Sequence, residues 1–85
     1  MEAVQEKWEY CKLDGINARD YGYSQLVFFT SEGEKIESLS GDEKTPERKK
    51  VAIRIAELGK EGWEMVGLGV TSEFIYIVYF KRKRI

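Results

Sequence analysis

Seven apolar or aromatic residues follow one another in Phe74-Ile75-Tyr76-Ile77-Val78-Tyr79-Phe80. Side chains of a strand alternate between its two faces, so a strand of this composition is apolar on both. Such strands are ordinarily covered on both sides. Leu26-Val27-Phe28-Phe29 repeats the pattern on a shorter scale. Only one strong helix is visible in the chain, and a helix of about 15 residues covers one face of a small sheet. Aromatic side chains bring ~150–250 Å² each, and soluble monomers rarely expose more than ~300–600 Å² in one patch. The expectation is a second copy packed against the sheet face that the helix leaves open, as a homodimer or higher oligomer. Phe28, Tyr76, Val78 and Phe80 are the residues assigned to that interface. The competing possibility, residues 31–44 folding over the face, is disfavoured by their polarity.

The remaining elements read in order. Residues 4–13 alternate as a strand, with Val4, Trp8 and Tyr10 on one parity and Cys11 and Leu13 on the other. Residues 14–22 carry two glycines, Asp and Asn and read as a loop. A second strand spans about 23–30. A turn at Glu32-Gly33-Glu34 would pair a short third strand at 35–39 with it, and a polar loop is the alternative. Thr45-Pro46 marks a helix start, with Thr45 as cap and Pro46 in the first turn. The helix runs to about Lys60, with Val51, Ile55 and Leu58 as the buried stripe. Gly59 reads as keeping the last turn slim, and Gly62 as a left-handed cap. Residues 63–70 and 74–83 then form a hairpin. The fold class is α+β: an antiparallel sheet of four to five strands from two hairpin-like segments flanking one helix. Residues 1–85 make a single domain.

Composition narrows the chemistry. The chain has no histidine and one cysteine, Cys11, so the commonest general base, an intrachain disulfide and a multi-cysteine zinc site all drop out. Neither a metal site nor a cofactor is expected. Cys11 reads as a small buried hydrophobe. Glu32, Glu34, Glu37, Asp42 and Glu43 lie in a polar segment and read as solvated rather than catalytic. Gly67-Leu68-Gly69 precedes no helix start, so it reads as a bulge or a close backbone approach. Fourteen basic and fifteen acidic side chains nearly cancel, which gives no general reason to expect nucleic acid as partner. The polar N-terminus and the lack of a ~20-residue apolar run point to a cytoplasmic protein with no membrane partner.

Three short motifs resemble a known family. Lys7-Trp8-Glu9-Tyr10, Glu57-Leu58-Gly59-Lys60-Glu61-Gly62-Trp63-Glu64-Met65-Val66 and Phe80-Lys81-Arg82 resemble the domain of unknown function 4177 family, small domains of mostly bacterial and phage-associated origin. Residues 14–44 match none of its motifs. The resemblance implies a small α+β fold and brings no catalytic residues with it.

Two functional expectations follow. The first is a non-catalytic, homo-oligomeric interaction module. The second is a binding protein for a small anionic ligand such as a nucleotide, with a pocket at the subunit interface. Its candidate residues are Arg19, Tyr21 and Tyr23, which offer a guanidinium with stacking rings, and Lys81 and Arg82 from the basic end. The four cations Lys81 to Arg84 otherwise read as a solubilising terminus.

Overall fold

The computed structural model describes residues 7–17, 24–39, 44–72 and 75–84. Its elements are β1 (Trp8–Asn17), β2 (Gln25–Thr30), β3 (Gly33–Ser38), α1 (Glu47–Lys60), β4 (Glu64–Ser72) and β5 (Ile75–Lys83). They form one five-stranded antiparallel sheet in the order β3-β2-β1-β5-β4, with the helix placed between the two strand groups in sequence. The expected α+β architecture is therefore present, and the third segment is a strand rather than a loop. Ser31 and Glu32 make the β2–β3 turn. There the Thr30 hydroxyl donates to the Gly33 carbonyl at 2.7 Å, and Gly33 takes φ 117°.

Strand β1 runs four residues further along the chain than its sequence pattern suggests. Leu13 pairs with Val78 but Ile16, not Asp14 or Gly15, continues toward Tyr76, so one extra residue is accommodated between them. Gly15 at φ 75° supplies the left-handed backbone that such a bulge uses. Glycine and aspartate, read as a loop, here sit within the strand.

Register divides the sheet into two faces. Cys11 lies opposite Phe28 and Phe80, and Leu13 lies opposite Leu26 and Val78. These side chains join Val51, Leu58 and Trp63 in one buried cluster, with Ile16, Phe28, Leu39 and Ile55 packed against it. The helix covers this face. Val78 and Phe80 are thus core residues beneath α1, Phe28 packs half-buried against them, and Tyr76 shares their side of the sheet through its pairing with Ile16. The expected interface on the open face cannot use them: a strand that is apolar on both faces leaves its parity undecided until the helix chooses one.

The helix begins one residue later than Thr45-Pro46 implies. Pro46 itself is the N-cap, its carbonyl accepting from the Lys49 and Lys50 N–H groups at 3.0 and 3.1 Å. Glu47 pins this end to the sheet by accepting the Ser24 N–H at 3.0 Å. The C-terminus closes as a Schellman motif, with the Trp63 N–H donating to the Leu58 carbonyl and the Gly62 N–H to that of Gly59. Gly62 adopts φ 91°, as its expected capping role requires. Gly59 differs, because a Cβ there would meet nothing within 4 Å. Packing does not demand a slim last turn.

Candidate functional site

Alternation along β5 separates the two C-terminal candidates. Lys81 pairs with Tyr10 and Arg82 with Glu9, so their side chains leave opposite faces of the sheet. Arg82, on the helix side, is committed to the fold: its Nε donates to Glu9 Oε1 at 2.8 Å and its Nη1 to the Glu61 carbonyl at 3.0 Å. Its guanidinium also lies 4.5 Å from the centre of the Trp63 ring. A depression of 730 Å³ opens beside it, lined by Glu9, Glu61, Gly62, Arg82, Lys83 and Arg84. Its lining sets three cations, Arg82, Lys83 and Arg84, against two carboxylates, Glu9 and Glu61, with Arg82 already bound to Glu9. Lys81, on the open side, places its ammonium 4.4 Å from the Trp8 ring centre. The two residues therefore do not converge on one pocket. Arg19, Tyr21 and Tyr23 lie outside the described residues.

Cys11 is fully buried, and burial pushes its thiol up to about 12. The nucleophilic thiolate is suppressed at neutral pH, in keeping with a packing role. Among the described residues, no group of three or more carboxylates and thiols gathers in a way that could hold a metal ion. No described helix is long and apolar enough to cross a membrane.

Two surfaces carry unexpected apolar groups. The first is strand β4, at the sheet edge, where Met65, Val66, Leu68 and Val70 are 54%, 48%, 66% and 64% exposed. Met65, Leu68 and Val70 pair with Phe80, Val78 and Tyr76 and so share the helix side of the sheet. The helix does not reach them. Arg54 bonds Glu37 of β3 at 3.7 Å, which draws one flank of α1 toward the β3 edge. The opposite flank, with Ala52, Ala56 and Gly59, is exposed.

The second surface is the open sheet face, where Trp8, Tyr10, Phe29 and Tyr79 remain 37%, 49%, 41% and 40% exposed. Lysines alternate with these rings: Lys81 opposite Tyr10, and Lys12 opposite Tyr79. Sequence reasoning assigned Trp8 and Tyr10 one parity correctly but read the rings as strand formers. The signal that finds the surface is parity combined with the register of three strands, which no single segment carries.

Comparison with protein-family models, with curated proteins and with solved structures finds no match. The family resemblance of the three short motifs rests on those residues alone.

Proposed function

We propose that the chain is a non-catalytic interaction module that works as a homo-oligomer, its copies joined along β4. The observation that carries this reading is the edge strand itself. Edge strands expose unpaired backbone groups and are normally blunted by charge, proline or brevity. β3, the other edge, follows that rule with six residues that include Glu34, Lys35 and Glu37. β4 breaks it: nine residues, one charged side chain (Glu64), and four half-exposed aliphatic ones.

Between its two register shifts, Gly67 to Val70 is regular strand whose outer side has no partner strand among the described residues, suited to a second copy. Burying each half-exposed aliphatic group contributes roughly 1 kcal/mol, against an association cost of ~4–15 kcal/mol. Backbone pairing across a two-fold axis adds to this. The non-catalytic part of the reading is supported by a sequence with no histidine and a sealed thiol.

Sedimentation velocity from micromolar concentrations upward tests the proposal. A concentration-dependent species larger than the 9.9 kDa chain is expected. A monomer that persists unchanged to ~100 μM, well above the micromolar range in which weak specific dimers form, overturns it.

A further inference from the structure

From the register of the open face, we infer that this face is a stacking platform for single-stranded nucleic acid. Tyr10 lies directly opposite Phe29 on one side and Lys81 on the other. Two residues further along, Lys12 lies opposite Tyr79, and at the near end Trp8 pairs with Lys83. Rings and ammonium groups thus alternate over β2, β1 and β5. Directly opposed Cβ atoms are ~4.5–5.5 Å apart and diagonal ones ~7–8 Å, so the rings form a contiguous strip. Beside Tyr79, β4 presents Gly67 and Gly69 on this face; Gly67 is its register partner, and a Cβ at Gly69 would sit 3.9 Å from the ring. The ring is therefore not walled off by side chains from the edge strand.

An antiparallel sheet face turned to water is ordinarily polar. Four half-exposed rings on such a face call for a partner, and the lysines decide its chemistry. A two-fold contact between copies through this face would set Lys12 and Lys81 near their own equivalents, and lysine is depleted from the centres of protein interfaces. Bases stack on aromatic rings while ammonium groups meet phosphates, which is the combination that recognises unpaired strands without sequence preference. Lys12 lies 5.6 Å from the Phe29 ring centre and is held there by an ion pair with Asp14 at 3.6 Å. Asp14 on β1 shares the face with its partner Lys12, and Glu34 and Glu64 lie in register with Phe29 and Lys81 at the outer strands. Three carboxylates thus balance Lys12, Lys81 and Lys83, and it is the interleaving of rings with ammonium groups, not an excess of charge, that favours an unpaired strand. The inference does not depend on association through β4, because that edge and this face are different surfaces.

Fluorescence anisotropy of a labelled single strand of about 15 nucleotides, of mixed pyrimidine sequence, provides the test, titrated with the full chain at low salt. Binding in the micromolar range is expected, with affinity falling roughly tenfold between about 50 and 200 mM salt as two to three phosphates are neutralised. Tyr10→Ala and Tyr79→Ala should each weaken binding about five- to tenfold, whereas Tyr10→Phe and Tyr79→Phe retain it, since the ring is what stacks. Lys12→Glu and Lys81→Glu should weaken it and flatten the salt dependence. The same sequence as a duplex should bind more weakly, its bases being already stacked. No binding by a protein whose circular dichroism shows it folded, or equal binding by the alanine variants, overturns the inference. A Leu68→Lys variant repeats the titration with the β4 edge blocked; retained binding there separates this platform from self-association.

Discussion

Arg82 covers the Trp63 ring with its guanidinium 4.5 Å from the ring centre, tying the end of β5 to the first residue after the helix cap. The same guanidinium bonds Glu9 on β1 and the Glu61 carbonyl at the helix C-terminus. One side chain thereby joins two strands and the helix end, where unpaired carbonyls favour a cation. Lysine has a single donor point and cannot reproduce the fork. Arg82→Ala is expected to cost roughly 1–2 kcal/mol, the range for charge-assisted bonds discounted for partial exposure. Arg82→Lys should recover less than half of that. Urea midpoints at unchanged m-value measure both.

The two glycines at the helix end should respond in opposite directions. Gly62 has φ 91°, where an L side chain is strained, so Gly62→Ala should destabilise by roughly 1–2 kcal/mol. Gly59 lies inside the helix with open space at its Cβ position, so Gly59→Ala should stabilise by roughly 0.5–1 kcal/mol. Thermal denaturation of the two variants beside the parent protein checks both signs.

Cys11 gives stability a pH dependence. Its thiol is raised from an ordinary value of 9.0 to about 12 by burial, so the folded state holds a proton that the unfolded chain releases. Between those values the unfolded state binds fewer protons, and stability falls as pH rises. The slope from this group approaches about 1.4 kcal/mol per pH unit in mid-window and fades as pH falls below 9.0, where both states come to keep the proton. Cys11→Val removes this component; the difference between the two proteins in urea midpoint, measured from pH 8 to 11, isolates it from tyrosine and lysine titration. In the native state at neutral pH the thiol should also resist a disulfide reagent until denaturant is added.

The β4 edge and the core beneath α1 predict different failures. Leu68→Lys and Val70→Lys change side chains that are two-thirds exposed, so each should leave stability within roughly 0.5 kcal/mol while shifting sedimentation to the monomer. Phe80→Ala removes a ring that is 2% exposed and should cost roughly 3–5 kcal/mol, a large share of the stability of a domain this size. Loss of association in Phe80→Ala is expected only together with loss of structure. Paired sedimentation and circular dichroism measurements distinguish the two classes.

Much of the fold was legible locally. Alternation placed Cys11 and Leu13 on one parity and Trp8 and Tyr10 on the other, and the structure keeps that division. The spacing of Val51, Ile55 and Leu58 marked the buried helix stripe, and Gly62 its left-handed cap, because both depend on contacts within a few residues. The bulge at Gly15 was less legible, since a glycine beside aspartate signals a turn equally well.

By itself the sequence determined the order of the helix and its flanking strands and the excess of apolar surface over what one helix can cover, while leaving residues 35–39 open between strand and loop. These follow from periodicity, capping residues and composition, all short-range properties. Only the tertiary structure decided which parity of Leu26 to Phe29 and of Ile75 to Phe80 lies beneath the helix, and so moved Val78 and Phe80 from an expected interface into the core and Phe28 against it. It also sent Lys81 and Arg82 to opposite faces and left β4, not the centre of the sheet, as the aliphatic surface. The physical reason is that face assignment in a strand apolar on both sides has no local energetic preference. It is fixed by where the helix docks, through contacts between residues far apart in the chain.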